Sequence, residues 1–525
     1  MTENVVVGES LRGASLLAGV QFVSRLFTFI LNVWLTAYLN DASAVGIASV
    51  QLYLFYTVTL TLAREGLRRT CLRIVPEKSC SGVINMCWIT VLFGISVIVP
   101  ATLAIFLRDE NDAVLGSVTR HDYERSLYVT ALATAVELIS EPFFIAGQGR
   151  LLYALRSKIE AVAVVNKCLA TVACVWFLDL KVTAFAVGHL VYSSTLLTMY
   201  GNWAFQYDEH LEAPGLWNFK SWRDMMPSNR LKIEDWTLPR VALSMSAQTV
   251  FKLVLAEGEK MVMMIIGLHS NDQAVYAIVF NLGSLVARFV FQPVEESAFA
   301  IFGKLNSMNS LSESHNLLRI LCKWMSIIGL VFVAFGPHFS HFLLRILYGI
   351  KWSDGTEAPV ALGMYCYYVL ILGINGITEA FVHATGDDAV LRHFNLWLCF
   401  FSIVYLASAA VLLQFRIQGL IVANCINMVV RIVYNMFYIS KHVPAFKSLF
   451  PHFKTVAAFL CVHVAMAISE RFLYLHFKTN FNALMHLGAG LVSFALIVLV
   501  LFIFENDQIR DSKALYTSMK SLKVE

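Results

Sequence analysis

Long apolar runs with few charges recur from one end of the chain to the other. A helix needs about 20 such residues to cross a hydrocarbon layer about 30 Å thick. A sliding window of about 19 residues marks fourteen of them. They lie at 12–39, 43–66, 82–107, 124–148, 153–178, 182–205, 242–267, 272–303, 315–336, 358–385, 390–413, 417–440, 453–474 and 481–504. Backbone groups in lipid must be bonded internally, so each run is read as an α-helix. Strand-period alternation is absent, which argues against a β-barrel. The 525 residues are 58% hydrophobic and 14% charged, with a mean hydropathy of +0.65. Ordinary soluble proteins carry about 25% charged residues. A soluble enzyme, a disordered chain and a secreted disulfide scaffold are thereby excluded. The net charge of +4 implies no nucleic-acid partner, and the ten cysteines contain no C-x-x-C pair. They read as small buried hydrophobes.

The N-terminus is acidic and the first apolar stretch is too long for a signal-peptide core, so an uncleaved first span is expected. Connections after even-numbered spans carry 18 lysines and arginines, and those after odd-numbered spans carry 8. The positive-inside bias places the even connections and both termini in the cytosol. The longest connection, 206–241, interleaves Trp217, Phe219, Trp222 and Trp236 with charges. It reads as an amphipathic segment at the cytosolic interface. The expected organisation is a six-helix lobe over 1–205, this linker over 206–241, a second six-helix lobe over 242–441, and two further helices with a cytosolic tail over 442–525. Two six-helix bundles are a recurrent transporter plan.

Charged residues within apolar spans are costly, and normally face a partner or an interior cavity. Arg25 lies in the first span. Arg64 and Glu65 end the second, within LAREGLRRTCLR. Glu137 and Glu141 stand one turn apart before Pro142, which should kink their helix, and pairing with Arg25 or Lys167 is expected. The seventh span holds Lys252, Glu257, Glu259 and Lys260, with Gly258 permitting close approach or unwinding. In the eighth, Arg288, Gln292 and Glu295 share a helical face, Glu296 follows, and Pro293 suggests a break. Glu379 and Arg431 repeat the pattern. The histidines are scattered. No H-E-x-x-H, G-x-x-x-x-G-K-[ST] or G-x-S-x-G occurs, so neither a metal nor another cofactor, an ATP-driven pump nor an enzyme is expected.

The stretches LAREGLRR, VELISEPF, LAEGEKMVM, NLGSLVARFVFQPVEES, INGITE and ANCINMVVRI closely resemble those of the eukaryotic Rft family. That family belongs to the multidrug/oligosaccharidyl-lipid/polysaccharide exporter superfamily, with the MurJ-type lipid II flippases. The resemblance implies an all-α polytopic protein of about fourteen transmembrane helices. Two six-helix lobes would face a central cavity, with two extra C-terminal helices. It implies a multi-pass protein of the endoplasmic-reticulum membrane. The implied substrate is a dolichol-pyrophosphate heptasaccharide of five mannoses and two N-acetylglucosamines, moved to the lumenal leaflet for N-glycosylation. Membrane lipid and endoplasmic-reticulum glycosylation enzymes are the implied partners. Arg25, Arg64, Lys252, Lys260, Arg288 and Arg431 are the cations available to the pyrophosphate. Glu65, Glu137, Glu141, Glu257, Glu259, Glu295, Glu296 and Glu379 are their candidate charge partners. A non-transporting scaffold could carry the same motifs. A lipid-linked glycosyltransferase fits less well, because the first lumenal loop, about Asn40–Ala42, is too short for a catalytic site.

Overall fold

A computed structural model describes residues 26–39, 41–73, 81–107, 115–149, 152–206, 222–227, 237–308, 310–442, 449–475, 480–508 and 510–512. Among the described residues the chain is helical and has no strand. The helices are α1 (Leu26–Leu39), α2 (42–73), α3 (Ser81–Leu107), α4 (Arg120–Gly149), α5 (Tyr153–Leu178), α6 (Val182–Phe205), α7 (Thr237–Ile266), α8 (Ser270–Ser307), α9 (Leu311–Tyr348), α10 (Ala358–Thr385), α11 (Asp388–Leu412), α12 (Arg416–His442), α13 (453–475) and α14 (Asn480–Phe504). Eleven described segments are long and apolar enough to cross a membrane, and the expected count of fourteen is not reached by that measure. Three features account for the difference. Only 26–39 of the first span is described. Helix α7, with four charges near its middle, is not among the eleven. The stretch Leu396–Lys441 counts once, although a 3-10 turn at Leu413–Phe415 and Arg416 at φ 54° divide it into α11 and α12.

Contacts divide the chain into two compact units, Met1–Ala274 and Val275–Glu525. In the first, α4 is the most buried helix and packs against α3 and α6. Its Leu127, Ala131 and Leu138 join Ile47, Phe55 and Leu60 of α2 in one core cluster. Helix α7 also packs on α2, where Gly66 meets the backbone of Ser246 so closely that a Cβ would collide with it. In the second unit α10 packs against α8, α9 and α12. The C-terminal pair α13 and α14 lies on α9, where Phe459 and Ile497 close over Ile327, Leu330 and Ala334.

The first unit gathers its odd connections at one end. Asp41 caps α2 by accepting from the Ala44 amide at 3.2 Å. It also accepts from Ser117 Oγ at 2.7 Å and pairs with Lys181 Nζ at 3.0 Å. Ser43 donates to Asn271 Oδ1 at 3.0 Å and accepts from the Ser117 amide at 3.2 Å. Gly116 can lie over Ser43 at φ 63° because it has no Cβ. At the opposite end Trp88 Nε1 donates to the Met225 carbonyl at 3.0 Å. Met225 lies in a 3-10 turn, Trp222–Met225, and is fully buried among Ile84, Cys87 and Phe143. The connection 206–241 is therefore anchored to α3 and α4 at this point. Trp217, Phe219 and Trp236 of its amphipathic reading lie outside the described residues.

Burial disfavours the Asp41 carboxylate. The hydrogen bonds from Ser117, Lys181 and Ala44, with the Lys181 charge, outweigh that and hold its carboxyl below the usual range. The hydrogen bond to Asp41 correspondingly raises Lys181 above the usual lysine value. A carboxyl lowered by folding contributes stability above its unfolded value, about 3.9, and loses it as pH falls through the folded value. Asp41→Asn should therefore lower the unfolding temperature at pH 7, with the gap to wild type closing below about pH 4. Thermal unfolding of both proteins across pH checks this, and a gap independent of pH would contradict it.

The break suggested at Pro293 is not formed. Helix α4 runs through Pro142 and α7 through Gly258. Helix α8 stays continuous through Pro293 and widens into a π-turn at Ala287–Phe291, one residue short of the proline. Pro293 has no backbone N–H to donate, and the wider i→i+5 turn before it takes up one extra residue.

Candidate functional site

Glu137 and Glu141 of α4 face the end of α2. Arg64 Nη1 lies 2.6 Å from Glu137 Oε1 and 3.7 Å from Glu141 Oε2. Arg68 grips Glu141 with two parallel bonds, Nε to Oε1 at 2.5 Å and Nη2 to Oε2 at 2.6 Å. Tyr56 donates to Glu137, and Ser193 reaches the same carboxylate at 3.4 Å. The Arg68 guanidinium also covers the Phe144 ring, 4.0 Å from its centroid. The expected pairing of these acids with Lys167 is not formed. The two arginines and Tyr56 occupy their oxygens, and Lys167 lies against His189 Nε2 at 3.3 Å. Arg25 lies outside the described residues. The pocket over this cluster has a volume of about 50 Å³ and is lined by Arg64, Arg68, Glu137, Glu141, Tyr192 and Tyr200 among others. One water needs roughly 10–15 Å³ by this measure, so the pocket holds a few waters and no sugar. The cluster is an ion-pair lock between α2 and α4. Arg69 and Glu65, 3.2 Å apart and more exposed, form an ordinary one-turn pair beside it.

On α7, Lys260 pairs with Glu257 at 2.6 Å and lies over the Tyr53 ring of α2 at 4.1 Å. Glu259 is partly buried on the same helix. The Lys252 side chain lies outside the described residues. In the second unit Arg431 Nη2 of α12 binds both oxygens of Glu379 on α10, each at 2.6 Å. Asn375 supports Glu379 from one turn away at 2.9 Å.

Arg288 lies inside the π-turn of α8 and is exposed. The wide turn rotates the helical register, so Arg288 and Glu295 no longer share a face. Glu295 rests instead over Gly376 of α10, where a Cβ would collide with its Oε1. Gln292 pairs with Glu296 at 2.9 Å. Glu295 thus does not orient Arg288. Among the six expected phosphate-binding cations, Arg64, Lys260 and Arg431 each hold a carboxylate. Among the described residues no carboxylate lies within ion-pair distance of Arg288.

A second network was not expected from the sequence. His338 of α9 bonds Glu470 at 2.8 Å and His463 at 3.2 Å, both on α13. His341 bonds Tyr474 at 2.9 Å, and His486 of α14 bonds Ser469 at 2.8 Å. The histidines scattered in sequence thus pin α13 and α14 to α9. The signal available was spacing, because His463 and Glu470 are seven apart and His338 and His341 three apart.

The chain matches the family described as Rft protein over residues 9–514. Relatives named Man(5)GlcNAc(2)-PP-dolichol translocation protein RFT1 are 29% identical in Dictyostelium discoideum, covering 98% of each chain. The Xenopus tropicalis relative of the same name is 32% identical over 84% of each chain. The one from Mus musculus is 31% identical over 84% of this chain and 83% of its own. Among solved structures, the lipid II flippase MurJ in an inward closed conformation superposes with a TM-score of 0.60 at 13% identity, covering 93% of this chain and 98% of its own. An inward-facing MATE family multidrug transporter of the MOP superfamily gives 0.57 at 12% identity, covering 80% and 98%. At such identities these structures establish the fold, an all-α polytopic membrane protein of the MurJ type. The match along nearly the whole sequence establishes more: the chain belongs to the Rft protein family.

Proposed function

We infer that this protein moves the dolichol-pyrophosphate heptasaccharide of five mannoses and two N-acetylglucosamines across the endoplasmic-reticulum membrane. The direction is from the cytosolic to the lumenal leaflet, in support of N-glycosylation. The observation that carries this reading is the similarity, over 98% of each chain, to a relative named for translocation of that lipid. The fold shared with a lipid II flippase supports it. Arg288 supports it too, as an exposed cation within an apolar span with no carboxylate beside it among the described residues, since a guanidinium fork suits two phosphate oxygens. The 18-to-8 excess of basic residues in the even connections supports cytosolic termini. With no ATP-binding loop in the sequence, net movement follows the lipid gradient or a coupled ion.

Photo-crosslinking tests the substrate. A photoreactive analogue of the heptasaccharide lipid should label the purified protein. Unlabelled lipid should compete with it, and dolichol phosphate alone should compete poorly. Equal competition by dolichol phosphate would contradict recognition of this head group.

A further inference from the structure

Helix α8 meets α10 closely on both sides of Arg288. Gly283 is buried under Tyr365, and a Cβ there would collide with the ring. The Phe291 ring lies on Gly373, 3.0 Å from where a Cβ would stand. The buried stripe of α8 runs through Tyr276, Gly283, Phe291 and Ala298, in steps of seven, eight and seven residues. Val290, which would continue the step of seven, is 38% exposed, whereas Phe291 is 1% exposed.

Seven residues of regular α-helix turn through about 700°, close to two full turns, and eight through about 800°. Gly283 and Phe291 would then point about 80° apart and could not both face α10. The π-turn at Ala287–Phe291 removes the mismatch. The Gln292 amide donates to the Ala287 carbonyl five residues back, so one residue is taken up without added rotation. The same turn sets the direction of Arg288. In regular helix a residue three before Phe291 stands about 60° from it, on the face of Glu295, which lies over Gly376. In the π-turn Arg288 is exposed while Phe291 is buried.

We propose that Gly283 and Phe291 are positioning residues for the lipid pyrophosphate. Seated against Tyr365 and Gly373, they are out of phase by one residue and so impose the π-turn. The π-turn in its place turns the Arg288 guanidinium away from Glu295. A carboxylate neighbour would occupy the fork that two phosphate oxygens need. This role rests on the reading of Arg288 as the phosphate-binding group. The phasing of the two seats does not.

The test measures binding of the photoreactive heptasaccharide lipid and thermal unfolding on purified full-length variants in detergent. Gly283→Ala drives a methyl group into the Tyr365 ring and shifts that seat. It should weaken lipid binding about tenfold, the equivalent of about 1.4 kcal/mol. Gly283→Ala/Tyr365→Leu makes room for the methyl group and should recover most of the affinity. Deleting Val290 leaves a step of seven from Gly283 to Phe291, so a regular helix holds both seats with Arg288 about 140° from Gly283. That variant should bind lipid as wild type does and unfold at no lower temperature. If either the deletion or Gly283→Ala fails to fold, the other decides. A lower unfolding temperature in Gly283→Ala with unchanged lipid affinity overturns the proposal, as does loss of affinity on deleting Val290 with unfolding unchanged. Weak binding by Arg288→Lys beside normal binding by Gly283→Ala would overturn the positioning and keep the phosphate role. Normal binding by both would remove the phosphate role as well.

Discussion

Replacing Glu141 by leucine should destabilise the first unit by about 3–5 kcal/mol, the usual cost of removing one partner from a buried ion pair. The Glu141 side chain is 1% exposed and its partner Arg68 19%. Two parallel bonds join them, and Arg64 approaches the same carboxylate at 3.7 Å. Among the described residues, the leucine variant would leave the Arg68 guanidinium with only the Phe144 ring for compensation. Most of the cost is that stranded charge rather than the net value of the pair. The double variant Arg68→Leu/Glu141→Leu should therefore recover much of the loss, since apolar replacement of a whole buried pair is often neutral. A double-mutant cycle on unfolding in detergent measures the coupling. A cost below about 1 kcal/mol for the single variant, typical of exposed pairs, would contradict the lock between α2 and α4.

Arg288→Lys should weaken binding of the heptasaccharide lipid roughly ten- to a hundredfold while leaving the fold intact. The lysine keeps the charge and loses the fork, and a hydrogen bond to a charged group contributes about 1.5–3 kcal/mol. At about 1.4 kcal/mol per tenfold, one such bond gives the stated range. Arg431→Lys should behave differently. Its guanidinium is committed to Glu379, so that substitution should lower stability more than lipid affinity. Lipid binding and thermal unfolding measured on both variants separate the two roles. Normal lipid binding by Arg288→Lys together with misfolding of Arg288→Leu would make Arg288 a structural residue.

The helical fold class was legible because apolar runs long enough to cross a bilayer leave the backbone no alternative to internal bonding. Family membership was legible because its motifs are the charged interruptions of those runs, such as NLGSLVARFVFQPVEES. Which charges pair with which was less so. Glu137 and Glu141 were readable as neighbours on one face, but their partners on α2 depend on how α2 and α4 pack, which sequence spacing does not encode. The relation between Arg288 and Glu295 was misjudged for a local reason. Regular 3.6-residue periodicity puts them on one face, and the π-turn before Pro293 removes that coincidence. The histidine network joining α9, α13 and α14 was invisible as a set because its bonds from α9 to α13 and α14 span 125 or more residues.

The central claim is that this protein itself moves the lipid. It is tested most directly by reconstituting the purified chain into vesicles with the heptasaccharide lipid and following leaflet position with a probe that reaches only the outer leaflet. Protein-containing vesicles should let lipid from the inner leaflet reach the probe at a rate that scales with protein per vesicle, and Arg288→Lys should slow it. Vesicles in which wild-type protein binds the lipid but exposes no more of it than protein-free vesicles would contradict translocation and leave a scaffold role in its place.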